Sequence, residues 1–118
     1  MTWLEEHNQS VEAASLAEIA IRSNDFEKAR ELYRMAASYE TRAFEATDIE
    51  KERTRGITLV SAVSLFYKAQ DFDKAEALAL RTITDSNLPS FAKEQLKDLI
   101  QTVWNEKEFA LNNIGFVE

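Results

Sequence analysis

Apolar residues recur at spacings of three and four along nearly the whole chain from Trp3 onward, the period of an amphipathic α-helix. Ala13, Leu16, Ala17 and Ala20 make a narrow face of mostly small residues, predicting a helix over Val11–Ser23. Thr2 followed three residues later by Glu5 reads as a capping box and extends that helix back toward the start. Asn24 with Glu27 repeats the signature, so a second helix begins at Asn24–Asp25. It carries Phe26, Ala29, Leu32, Tyr33, Ala36 and Ala37 on one side. Thr47 with Glu50 is a third such pattern and predicts a break near Thr47, with a third helix from about Asp48 to Ala69. A fourth starts at Gln70–Asp71 and runs through Phe72, Ala75, Leu78, Ala79 and Ile83. Asn87-Leu88-Pro89 ends it, and Pro89 opens a fifth, where its missing N–H costs nothing. Ala92, Leu96, Leu99 and Val103 form that helix's stripe. The tail, residues 107–118, contains Phe109, Leu111, Ile114, Phe116 and Val117 but no clear period.

These elements predict an all-α single domain. The chain has 118 residues, 45% hydrophobic and 30% charged, with only 2 Gly and 1 Pro. That is a globular balance with too few turn-formers for an all-β fold. Gly56, inside the third helix, predicts a kink or a close approach there. With 0 Cys, disulfides, thiolate metal sites and thiol chemistry are excluded, and 1 His excludes a histidine-rich metal site.

The formal net charge of −7 disfavours phosphate backbones and anionic membranes, so neither nucleic acid nor membrane is an expected partner. The opening MTWLEEHNQS has no Lys or Arg and leads into no secretory apolar run. No stretch approaches the ~20 apolar residues of a membrane span. The expected location is cytoplasmic.

A self-comparison adds organisation. Asn24-Asp25-Phe26-Glu27-Lys28-Ala29 matches Gln70-Asp71-Phe72-Asp73-Lys74-Ala75, 46 residues later. Repeated helix pairs point to a stack in which each pair buries its face on the next.

On these residues the chain resembles the tetratricopeptide repeat family. That family places Asp-aromatic-x-x-Ala at the start of each second helix. Leu16, Ala17, Ala29, Tyr33 and Ala36 fit the family pattern in the first unit, residues 11–40; Phe66, Phe72 and Ala75 fit it in the second, residues 48–87. Ala20 stands where an aromatic is usual, and the spacing exceeds the usual ~34 residues, so the resemblance is to a degenerate member with elongated helices. It implies two helical hairpins plus a capping helix over residues 89–106. It also implies a binding groove lined by the first helix of each pair: Val11, Ala14, Glu18, Ile21 and Arg22, then Ile57, Val60, Ser64, Tyr67 and Lys68. Ala14 and Glu18 replace the Lys and Asn with which the family grips acidic C-terminal peptides. The remaining groove is apolar with few charges and suits an amphipathic helix or an extended apolar segment.

The third helix shows why such a face matters. Leu59, Ala62, Val63 and Phe66 form one apolar stripe; Ile57, Val60 and Tyr67 form another. The second stripe must meet the fifth helix, the tail, another subunit or a foreign partner.

Catalytic constellations are absent from the pattern. His7 reads as a solvated residue on a frayed first turn. The carboxylates Glu27, Glu31 and Glu45 to Glu52 are interleaved with Lys28, Arg30, Lys51, Arg53 and Arg55, which reads as surface ion pairing and not as a metal cluster. No nucleophile elbow or phosphate loop exists. Trp3 and Trp104 are expected to pack under the ends of the fold. The expected function is a non-catalytic module that binds a protein or peptide, without cofactor or metal. The alternative is a homodimerisation module, because two repeat units are fewer than the roughly three a solenoid needs.

Overall fold

The computed structural model describes residues 1–117, with side chains through Asn112. Its five helices are α1 (Trp3–Arg22), α2 (Phe26–Ala46), α3 (Glu52–Lys68), α4 (Phe72–Thr82) and α5 (Ser90–Val117). No strand occurs among the described residues. The all-α expectation is met, and the helix breaks fall near Asn24, Thr47, Gln70 and Asn87 as the sequence indicates.

α1 begins at Trp3 because the Thr2–Glu5 capping box forms in full: the Glu5 N–H donates to Thr2 Oγ1 at 3.2 Å, and Glu5 accepts from the Thr2 backbone. The other two boxes do not form. Asp25, and not Asn24, caps α2, its carboxylate accepting from the Lys28 N–H at 3.2 Å. Asn24 instead takes a left-handed backbone, φ 60°, which a short amide side chain tolerates. Thr47 ends α2, and its hydroxyl donates to the Ala43 carbonyl at 2.8 Å, so it is not free to cap α3. α3 therefore starts at Glu52, four residues later than expected.

The two matched segments share one turn. Asn24 N–H donates to Ile21 O at 2.9 Å and Asp25 N–H to Ala20 O at 2.8 Å. At the second turn Gln70 donates to Tyr67 O at 2.9 Å and Asp71 to Phe66 O at 2.9 Å, with Gln70 at φ 59°. This is the Schellman arrangement, which closes the last carbonyls of one helix and re-aims the chain into the next.

α1 packs on α2, α2 on α3, α3 on α4, and α5 against both α3 and α4. The core between them is rich in alanine: Ala13, Ala17, Ala36, Ala37, Ala62, Ala75 and Ala79 are buried, with Leu59, Val63, Leu96 and Val103 as the largest fully enclosed side chains. Small residues at facing positions let helix axes approach closely. Leu16, placed on the core face by its spacing, is instead exposed, as is Phe26. The result is a plate of 52 × 32 × 17 Å. Its radius of gyration, 15.1 Å, exceeds the roughly 13.5 Å of a compact chain this long.

α5 runs parallel to α3. Its first turn lies on Gly56, where a Cβ would fall 2.8 Å from Pro89 Cγ and 3.1 Å from Ala92 Cβ; farther along, Glu106 meets Tyr67. Gly56 thus serves a close approach. The boundary expected between capping helix and tail, at residues 106–107, is not a backbone break: α5 continues to Val117. The expected tail residues Ile114, Phe116 and Val117 carry side chains outside the described set.

Candidate functional site

α3 is the central helix of the plate, and it has two faces. Leu59, Ala62, Val63, Leu65 and Phe66 are buried against the core, while Val60, Ser61 and Ser64 between them keep part of their surface in solvent. Of the ten residues implied as a groove, Ile57, Lys68, Glu18 and Arg22 are exposed, and Val60, Ser64 and Tyr67 are half-buried. Ile57 keeps 49% of its surface in solvent. Val60 and Tyr67 rest one flank on the core. Tyr67 also donates its hydroxyl to Glu106 Oε1 at 3.3 Å, so α5 borders this face on one side.

Glu18, Arg22 and Lys68 gather around Tyr33 of α2. Lys68 Nζ lies 5.8 Å from the Tyr33 ring centroid, and Arg22 pairs with Glu18 at 3.9 Å. Burial, and secondarily the Glu18 carboxylate, push the Tyr33 phenol above its ordinary range. Tyr67 is raised as well, first by burial and then by Glu106. Both phenols stay neutral hydrogen-bonding groups at neutral pH. The expected groove residues Val11 and Ile21 of α1 are also exposed, and Ala14 is half-buried. The face therefore combines exposed Ile57, Val11 and Ile21 with the hydroxyls of Ser64 and Tyr67 and the charges of Lys68, Arg22 and Glu18.

A second cluster was not legible as such in the sequence. His7 is not a solvated end residue: its Nδ1 lies 2.9 Å from Glu40 Oε1, and its ring stacks on Trp3 at 4.6 Å, 10° from parallel. Glu40 is only 3% exposed. Beside it, buried Glu6 accepts from Arg42 Nε at 3.2 Å, and Ser10 Oγ donates to the Ala36 carbonyl at 2.9 Å. Trp3 Nε1 donates to Thr58 Oγ1 at 3.0 Å, carrying the network to α3. Burying carboxylates costs several kcal/mol each unless they are paired, and here each has a partner across the α1–α2 seam. The His7–Glu40 and Glu6–Arg42 pairs and the Ser10–Ala36 hydrogen bond all cross the seam and tie the two antiparallel helices together. The signal that could have found it is the polar set Glu6, His7 and Ser10 on α1 read against α2 in reverse, where Arg42, Glu40 and the Ala36 carbonyl stand opposite them.

Trp3 also walls a cleft of about 600 Å³, lined with Met1, Thr2, Leu4, Ala46, Thr47, Asp48, Lys51 and Thr54. Trp104 lies at the opposite edge, 45% exposed, its indole N–H donating to Glu76. Arg55 does not pair within its own helix: it reaches Asp85 at 3.3 Å and lies over the Phe44 ring. Among the described residues no group of three or more His, Asp or Glu side chains is arranged to hold a metal ion, and no helix is long and apolar enough to cross a membrane.

No protein family matches the chain, and neither a curated protein nor a solved structure matches it.

Proposed function

We propose that this chain is a non-catalytic interaction module, a degenerate tetratricopeptide-like stack of two hairpins and a capping helix. Its ligand is a helical or extended segment of a partner protein, laid along the outer face of α3 and the neighbouring edge of α1. The observation that carries this reading is the two-faced α3: one stripe is buried, while Ile57, Val60, Ser64, Tyr67 and Lys68 all retain accessible surface at the middle of the plate. An apolar stripe at helical spacing, flanked by Lys68 and the Glu18–Arg22 pair, supplies affinity through burial and register through charge. The acidic surface as a whole favours a protein partner over a nucleic acid.

A photo-crosslinking residue at Ile57, compared with one at exposed Glu94 of α5, tests this in the source cell. Discrete crosslinked proteins at residue 57 and not at residue 94 are expected. Identical patterns at both positions, or none at residue 57, contradict the reading.

A further inference from the structure

The loop between α2 and α3 leaves a gap that an earlier start of α3 would fill. Thr47 gives its hydroxyl to the Ala43 carbonyl, and α3 starts only at Glu52. Residues 48–51 form a β-turn instead, closed by the Lys51 N–H donating to the Asp48 carbonyl at 3.0 Å. This turn and the start of α1 together line the cleft of about 600 Å³, a size at which small molecules bind.

Three features of the lining point to a ligand. The first is a fixed aromatic wall. Trp3 stacks on His7 at 4.6 Å and donates its indole N–H to Thr58 at 3.0 Å, while His7 is held in turn by Glu40. Neither His7 nor Thr58 borders the cleft, so the part of the indole that does border it lies outside both contacts. Held on one face and one edge, the ring is set in place before any ligand arrives. The second is aliphatic surface beside that wall: Met1 and Leu4 are 76% and 57% exposed, and Ala46 at the end of α2 adds to it. The third is a pair of opposite charges. Asp48 and Lys51 are the charged side chains of the lining. Both are exposed, and neither takes part in an ion pair among the described residues, even with the other. The turn holds their Cα atoms within about 7 Å. Of the three threonines in the lining, Thr2 donates to Glu5 and Thr47 to Ala43, which leaves the Thr54 hydroxyl for a ligand.

We propose that this cleft binds a small aromatic zwitterion, a free amino acid with an aromatic side chain. The ligand ring lies on Trp3 among Met1, Leu4 and Ala46; its ammonium meets Asp48, and its carboxylate meets Lys51 and Thr54. The surroundings select against a ligand that carries the carboxylate alone. Glu5, Glu45, Glu50 and Glu52 adjoin lining residues in the sequence without entering the lining, and the chain's net charge is −7. A ligand that carries the ammonium alone leaves Lys51 unanswered. A chain terminus brings only one of the two charges, so a free amino acid fits where the end of a protein does not. None of the ten residues implied as the α3 groove lines the cleft, so the site stands apart from that face and does not depend on it.

The protein has 2 Trp, so a proton–nitrogen correlation spectrum carries two indole N–H signals, and Trp104→Phe identifies that of Trp3. L-Phenylalanine titrated into the full chain is expected to move the Trp3 signal saturably and to leave that of Trp104 in place. L-Phenylalaninamide keeps only the ammonium, as at the start of a chain, and N-acetyl-L-phenylalanine only the carboxylate, as at the end of one. Each is expected to bind about tenfold more weakly, and L-alanine, which lacks the ring, to leave the signal unmoved. Asp48→Asn is expected to weaken L-phenylalanine about tenfold and to leave N-acetyl-L-phenylalanine as it was; Lys51→Met weakens L-phenylalanine equally and leaves the amide as it was. Both substitutions replace exposed side chains, and unchanged circular dichroism checks that the fold is kept. A Trp3 signal that does not move at millimolar L-phenylalanine overturns the proposal. So does equal binding of the three phenylalanine compounds, or binding that neither variant weakens; none of these outcomes bears on crosslinking at Ile57.

Discussion

Gly56 and Pro89 are in contact through the absence of a side chain: a Cβ on Gly56 would lie 2.8 Å from Pro89 Cγ, closer than real Cβ contacts come. The proline ring cannot rotate away, and Ala92 closes the other side at 3.1 Å. The first turn of α5 is therefore seated on the one position of α3 that has no side chain.

Gly56→Ala is expected to destabilise the fold. Helix propensity alone would favour Ala by about 1 kcal/mol, but forcing α5 outward costs on the order of 1–3 kcal/mol. Chemical denaturation of the variant checks the sign; a gain in stability would mean that α5 shifts freely over α3.

Ala29 and Ala75 occupy the same place after each turn, their N–H groups donating to Asp25 O and Asp71 O at 3.0 Å each, and both are buried. Ala29→Leu and Ala75→Leu should each overpack a close helix contact and cost about 1–3 kcal/mol. Thermal melts of both variants test this, and an unchanged Tm in both contradicts the equivalence.

Removing the imidazole of His7 leaves the buried Glu40 carboxylate without the hydrogen-bond partner that reaches it from α1. His7→Leu is expected to destabilise by about 1–3 kcal/mol, and adding Glu40→Leu to recover part of that loss, since a buried acceptor left without its partner costs more than removing both. A double-mutant cycle by urea denaturation measures the coupling. Additive losses would mean that the clamp is only an accident of surface packing.

Asp85 titrates below its usual value of 3.8, mainly because the Asn87 N–H donates to it, at 2.8 Å, with Arg55 adding a second hydrogen bond and its charge. A depressed carboxylate contributes stability that is complete above the unfolded value and declines as pH falls through the folded one. Asp85→Asn should therefore cost about 1–3 kcal/mol at pH 7 and progressively less below about pH 4. Melts at both ends of that range check it; an equal loss at pH 7 and pH 2 would assign the effect to packing.

Local chemistry was readable only in part, even where the partners are close in sequence. Thr2 and Glu5 are three residues apart, and their capping box forms. Asn24 and Thr47 carry the same signature, yet a left-handed backbone claims one and the Ala43 carbonyl claims the other. Both outcomes depend on how the preceding helix ends, which the pattern does not encode. His7 was misread because its partner Glu40 is 33 residues away and only the antiparallel seam joins them. The stripes of α3 were legible from spacing, whereas Gly56 stood open between a kink and a close approach until Pro89 and Ala92 were placed against it. What borders the second stripe was not: the Tyr67–Glu106 contact follows from the direction of α5, set by tertiary packing.

The central proposal is that the exposed residues along the outer face of α3, Ile57 and Lys68 among them, bind a partner protein. The direct measurement is a calorimetric titration of the partner crosslinked at Ile57 into wild-type protein and into the double variant Ile57→Glu, Lys68→Glu, with both proteins melting at the same temperature. Affinity reduced by about a hundredfold, as expected for losing an apolar anchor and reversing a charge at one interface, is the predicted result. Equal affinity for the two proteins would contradict the account.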